Sequence, residues 1–444
     1  MLARTAFPHC FSARPGRRIQ FLPVCSSTLG DVLIANEELT AAVQAEAPEA
    51  FEFLLGLVSR ASLRGEEGPA QDFVMQALDD LGFSTSKIDV PDSIVDDPLA
   101  GVPFASYEGR FDVLGTTPRS GGRTLLLNGH IDVVPVNELT WSSDPFAPFI
   151  RDGWLYGRGS GDMKGGFAMA ILALRALRRL GSDIGKQDLS FLSVIEEEYT
   201  GNGTLAAIRA GVSADAVILP EPTNLNILLG GIAITWTKIV IRFGGGHAES
   251  ADRLASPAQV VARLIDGFSE LEVELNRAVS VPYNEIANPF NVNVGVIHLG
   301  EWPSSVPAVA ELEVRVGHPD SISDEEILAR VRHLVGTVLE SAGAPQFELA
   351  LHGFKAQGYV LAGDHPLVHG VASAHAAVHG TRPESELMGS TTDARYYVNQ
   401  LGVPALCYGP VVKNMHGSDE CVELLSIEIG AATLARFMID YFGG

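Results

Sequence analysis

LSFLSVIEEE, residues 189–198, decides the reading of this chain. Leu189–Ile195 is short, apolar and partly β-branched, so it reads as a strand. Three acids follow at once, Glu196, Glu197 and Glu198. On a solvated loop such a charge run would be ordinary. At the end of a buried strand, repulsion calls for a cation or for protonation of at least one acid. Three more runs of this kind occur, Thr124–Leu127, Ala216–Leu219 and Pro404–Tyr408, and helical segments such as Phe167–Leu180 separate them. Strands alternating with helices predict an α/β fold with a mixed, largely parallel sheet and flanking helices.

The chemistry-bearing residues track that sheet. His130 and Asp132 (HID) follow the run at 124, and Glu221 (LPEPT) follows the run at 216. His416 (MHGSDE) lies in the loop beyond the run at 404. Open α/β sheets place their sites just past the carboxyl ends of strands. Asp162 sits instead in a glycine-rich turn, GRGSGDMKGG at 157–166, ahead of a helix. That turn lacks the GK[ST] ending of a phosphate loop and the strand–turn–helix setting of a dinucleotide fold. Its aspartate suits a metal ligand held close to the backbone, or a helix N-cap. Asp132, two residues after His130, suits the carboxylate that orients a metal-bound imidazole, or a turn acid. Together, His130, Asp162, Glu198, Glu221 and His416 form a ligand set for two divalent metals sharing a bridging carboxylate, with Glu197 beside them as a general base. His365, His369, His375 and His379 read as helix-surface or core residues.

The bulk properties narrow the class. A chain of 444 residues predicts two domains. A net charge of −23 and a pI near 4.9 exclude a nucleic-acid partner, which needs a basic face. No apolar run reaches the length of a membrane span. The four cysteines, Cys10, Cys25, Cys407 and Cys421, form no CxxC pair, so a reduced, cytoplasmic location is expected. Residues 1–30 carry Arg4, Arg14, Arg17 and Arg18 and no acid, as in a leader or a disordered tail. Helices are expected over Asp31–Ala47, stopping before Pro48, and over Phe51–Arg60 and Ala70–Leu81. From about 229 to 355 the pattern becomes strand–helix–strand–strand–helix–strand, a ferredoxin-like α+β module inserted between catalytic segments at 31–228 and 356–444.

Over residues 45–440 these motifs, in this order, resemble the dinuclear zinc amidohydrolases and peptidases that include acetylornithine deacetylase, succinyl-diaminopimelate desuccinylase, aminoacylase and glutamate carboxypeptidase. The resemblance implies a zinc-exopeptidase-like catalytic domain with two divalent ions per subunit, Zn first and Co or Mn as alternatives. One ion would be held by His130, Asp162 and Glu221, the other by Asp162, Glu198 and His416, with Glu197 as base and Asp132 as orienting acid. The inserted module resembles a lid and dimerisation domain, implying a homodimer and an oxyanion-stabilising role for His247. Arg395, with Gly389 and Ser390 in GSTTDARYY, and Arg315 in LEVRV match residues that bind a substrate carboxylate. The implied reaction is hydrolysis of a small N-acyl amino acid, acetylornithine deacetylase-like. Dipeptide or carboxypeptidase cleavage and deformylation of an N-formyl amine are the alternatives on the same site. A catalytically dead binding protein on this scaffold would lack a ligand or the base, and none is missing. Ser304–Ser305, and YTGNG after the acidic run, depart from the family pattern and leave the individual substrate open.

Overall fold

A computed structural model describes residues 34–249, 256–343 and 345–443. The leader expected at 1–30, with Cys10 and Cys25, lies outside them.

The catalytic segments build one nine-stranded sheet. Its order is Ser84–Asp89, Phe111–Thr116, Asp188–Val194, Thr124–His130, Ala216–Leu219, Ala405–Cys407, Ile227–Gly231 and Tyr359–Val360, with Ser385–Met388 also paired to Ile227–Gly231. The four strands from Asp188–Val194 to Ala405–Cys407 run parallel, and antiparallel pairs flank them. Every residue of Asp188–Val194 and Ala216–Leu219 is buried, as expected of strands covered on both faces. The parallel register sets His130 against Val194, Leu127 against Ile218 and Leu219 against Cys407. Chain leaving these strands therefore emerges at one edge of the sheet, where the predicted ligands lie.

The helix Gly165–Arg179 is almost wholly buried and packs against Asn36–Val58 and Leu424–Phe442. Asn36–Val58 corrects one expectation: it runs unbroken through Pro48. Proline removes one backbone donor from a helix interior. Here the buried stripe that continues past it, through Ala50, Leu54, Leu57 and Val58, holds the helix together by packing. The other expected helices and strands stand within a few residues of their predicted ends.

The segment between Gly231 and Tyr359 forms a separate antiparallel sheet in the order Val292–Leu299, Val309–His318, Ala233–Arg242, Gln346–Ala356. Along Ala233–Arg242 buried and half-buried residues alternate, the signature of a sheet with one covered face. Helices Pro257–Leu275 and Asp324–Glu340 cover that face with a core that includes Ile239, Leu264, Phe268, Leu312 and Val331. The strands that lead in and out are neighbours, Gly231 pairing with Tyr359 and Gly230 with Val360.

His375, in the helix Pro366–His379, is 3% exposed, and its Nδ1 lies 2.7 Å from the Tyr408 hydroxyl. Burial lowers its pKa to about 4. The unfolded chain takes up this proton near pH 6.5, whereas the folded chain resists it down to about pH 4. Stability contributed at this site is thus present above pH 6.5 and lost as pH falls to 4, by at most about 3 kcal/mol. Urea unfolding across that window is expected to show a shallower acid-side loss in His375→Gln than in the parent chain.

Candidate metal centre

The sequence after Val194 turns sharply, with Glu196 at φ +66°. This turn sorts the three acids. Glu196 points inward, where Arg110 donates to it at 2.7 Å, Thr200 at 3.0 Å and Tyr107 at 3.2 Å. Arg110 also pairs with buried Glu67. Glu197 and Glu198 face the cavity, and their backbone N–H groups donate to the Asp132 carboxylate at 3.2 and 3.1 Å. Asp132 therefore fixes the turn that carries the other acids. It meets the His130 ring chiefly through its backbone: the Asp132 carbonyl is 2.9 Å from His130 Nδ1, its carboxylate 3.7 Å. A carbonyl only accepts, so the proton of neutral His130 sits on Nδ1 and the Nε2 lone pair faces the site.

The glycine loop is held by an acid that sequence reasoning had quoted only as part of the His416 motif. Glu420 is fully buried and accepts from the backbone N–H groups of Gly159, Gly161 and Asp162 at 3.1, 2.8 and 2.9 Å. Arg158 neutralises it at 2.5 Å. Lys164, also fully buried, donates to the carbonyls of Leu57 and Arg60 at the end of the first helix, and burial lowers its pKa to about 7. Close backbone contacts place the third acid. A Cβ on Gly166 would lie 1.9 Å from the Pro220 carbonyl, and one on Gly409 would lie 2.1 Å from that of Glu221.

These supports bring four side chains together around Asp162. Its Oδ1 is 3.1 Å from His130 Nε2, and its Oδ2 is 3.2 Å from His416 Nε2. Glu221 completes the first pair at 3.8 Å from His130, and Glu198 the second at 3.0 Å from His416. Ligand atoms of His130, Asp162 and Glu198 all lie within 4.8 Å of one another. Burial would lower His130, but the carboxylates of Glu221, Asp162 and Glu197 override it and hold the ring well above its ordinary value. Glu198, first among the neighbours, pushes His416 up to about 11. Burial pushes Glu221 up to about 8 and raises Glu197 well above the carboxylate range. Burial would raise Asp162 too, yet hydrogen bonds from both histidines hold it low. Imidazole nitrogens facing buried carboxylates are answered by a proton or by a metal cation, and this donor set, nitrogens and oxygens converging with one shared carboxylate, fits two divalent ions.

A cavity of about 480 Å³ opens from this cluster to the four-stranded antiparallel sheet, with Glu197, Arg315, Ser390, Thr391 and His416 on its lining. Arg315 donates to Asn291 and, at 3.0 Å, to the Gly389 carbonyl. Three residues that the resemblance assigned to substrate and transition state, Gly389, Arg395 and His247, are absent from that lining. Arg395 is 3% exposed and does not line the cavity; its guanidinium turns inward to Asp393 at 3.3 Å and to Tyr396 at 3.4 Å. His247 is exposed on the two-residue strand Gly246–His247 and is likewise absent from the lining.

The sheet order, the inserted antiparallel module and the site at the carboxyl edge define a metallo-hydrolase of the exopeptidase-like α/β class. The sequence pattern of peptidase family M20/M25/M40 matches residues 126–440, and the chain belongs to that family. It is an enzyme of the kind that cleaves amide bonds. It is 29% identical over 402 residues to succinyl-diaminopimelate desuccinylase of Methylobacterium radiotolerans, covering 87% of this chain and 95% of the relative. It is 28% identical over 389 residues to N-formyl-4-amino-5-aminomethyl-2-methylpyrimidine deformylase of Bacillus subtilis, covering 82% and 86%. Its fold is similar to that of the di-peptidase Dug1p of Saccharomyces cerevisiae, with a TM-score of 0.79 at 14% identity over 92% of this chain and 99% of the other.

Replacing Glu420 by Gln removes the charge that answers Arg158 and three loop amides. Breaking a buried pair on one side costs on the order of 3 kcal/mol. Chemical denaturation is expected to show a loss of that size, together with weaker retention of metal.

Proposed function

We propose that this chain is a two-metal hydrolase that removes the acyl group from a small N-acyl amino acid, acetylornithine deacetylase-like. The observation that carries the proposal is Asp162, which offers one oxygen to each of two His–carboxylate pairs while Glu197 lines the same cavity. His130, Asp162 and Glu221 would hold one divalent ion, and Asp162, Glu198 and His416 the other, with Zn first and Co or Mn as alternatives. When bound, such ions polarise an amide carbonyl and make a water more acidic. A Bacillus subtilis protein of similar fold, TM-score 0.57, is described as a dinuclear metal binding peptidase.

Glu197 takes the proton of the attacking water and delivers it to the leaving amine. Its place in the cavity beside the ligand Glu198 supports that role. Arg315 has no acid paired with it among the described residues, lines the cavity and accepts the substrate carboxylate, aided by Ser390. Arg395 stacks on Phe354, which lines the cavity. Residues 229–355 act as lid and dimerisation domain, and the exposure of His247 suits donation to the site of a second subunit. Buried, free Cys407 and Cys421 accord with a reduced, cytoplasmic setting. Among the described residues no helix is long and apolar enough to cross a membrane. The deformylase relative supports a second reading, removal of a formyl group from an amine on the same residues.

The test is amine release from a panel of N-acyl amino acids, dipeptides and N-formyl amines. Turnover is expected to vanish with a chelator and return with Zn or Co. Glu197→Ala is expected to keep both metals by elemental analysis and lose about 10²–10⁴-fold in kcat. His416→Ala is expected to lose one of the two ions. Near-parental turnover in Glu197→Ala would remove Glu197 from its role.

A further inference from the structure

Charge at the metal end of the cavity is internally balanced. Asp162, Glu197, Glu198 and Glu221 bring four negative charges, which two divalent ions would match. On the wall made by the antiparallel sheet, two opposite charges remain, Glu313 and Arg315. They stand two residues apart on Val309–His318, so their side chains leave the same face of the strand about 6.6 Å apart.

The surroundings answer Glu313 weakly. Its Oε1 lies 3.4 Å from His352 Nε2 and 3.7 Å from Lys238 Nζ. Both separations exceed the length of a strong charge-assisted hydrogen bond. Lys238 sits closer to Glu311, at 3.1 Å. Burial holds the His352 imidazole below its ordinary pKa, so at neutral pH it is a neutral neighbour. Trp236, cross-strand from Arg315, and Phe354 present apolar surface in the same cavity, where a weakly answered carboxylate gains most from a cationic partner.

We propose that Glu313 is a specificity-determining residue that receives an ammonium or similar hydrogen-bond-donating group of the substrate, while Arg315 receives its carboxylate. The amide cleaved by this enzyme then carries one group of each sign beyond the scissile bond. Substrates with an acidic side chain are rejected by Glu313, and neutral ones forgo its contact. The proposal rests on the N-acyl amino acid reading only for the choice of ligands.

The experiment measures binding without chemistry. Free L-ornithine, L-norleucine and L-glutamate are titrated calorimetrically into the Zn-loaded full chain, into Glu313→Gln and into Glu311→Gln. Ornithine is expected to bind the parent about tenfold more tightly than norleucine. Glu313→Gln is expected to lose that advantage and keep norleucine affinity within about twofold. Glu311→Gln, which keeps Glu313 but leaves Lys238 to it alone, serves as the folded control and is expected to retain a preference for ornithine over norleucine. Equal ornithine affinity in parent and Glu313→Gln, equal weakening of ornithine and norleucine, or no ornithine binding at all would each overturn the assignment. Hydrolysis of the three N-acetyl derivatives is followed in parallel. If none turns over while ornithine discrimination persists, the N-acyl amino acid reading fails and the role of Glu313 stands.

Discussion

Mutual repulsion among buried carboxylates governs this molecule. Asp132, Asp162, Glu196, Glu197, Glu198, Glu221 and Glu420 are all buried or nearly so, within two short loops and three strand ends. Each is answered differently. Arg110 answers Glu196, Arg158 answers Glu420, and backbone N–H groups answer Asp132. Once these supporting acids are satisfied, Asp162, Glu197, Glu198 and Glu221 remain, and among the described residues two imidazoles, His130 and His416, are paired with them. Arg110 and Arg158 are committed to the supporting acids, which leaves the reacting cluster short of positive charge. That shortage is what makes it a receptor for dications.

The geometry of the scaffold follows from the same economy of partners. The Glu420 carboxylate gathers amides that a glycine-rich turn could not satisfy internally, and so converts a pliant segment into a fixed cradle for Asp162. The Asp132 carboxylate does the same for the turn after Val194. Glycines at 166 and 409 then let the helix and the neighbouring loop press onto the backbone at Pro220 and Glu221. Ligand positions are thereby set by main-chain contacts, which tolerate little drift.

Much of this was legible in the sequence because it is local. Strand ends, the acidic run, the glycine turn and the five ligands announce themselves by neighbours in the chain, and the sheet's parallel register brings them to one edge. The residues that escaped notice act over distance. Arg110 meets Glu196 across 86 positions, and Arg158 meets Glu420 across 262. No spacing rule links such pairs. The stop expected at Pro48 failed because packing outweighed a local preference. Arg395 looked like a substrate residue because arginine near a TTD motif carries the right chemistry. The fold buries it beside Asp393 and Tyr396 and behind Phe354, outside the cavity's lining. Glu313 lies within LEVRV, two residues before Arg315, and its place beside Arg315 has meaning only once the cavity is known, since alternation on a strand face does not say which face is lined.

The inserted antiparallel module enters and leaves through two strands that are hydrogen-bonded to each other, at Gly230–Gly231 and Tyr359–Val360. Its attachment does not end there. Val102 and Gly353 exchange backbone hydrogen bonds, Lys355 donates to the Pro98 carbonyl, and Arg315 donates to that of Gly389. The cavity takes one wall from the ligand cluster and another from the module's sheet. These clasps, set apart from the entry strands, therefore fix the distance between the two walls, so the depth of the cavity is decided by contacts that include none of the metal ligands.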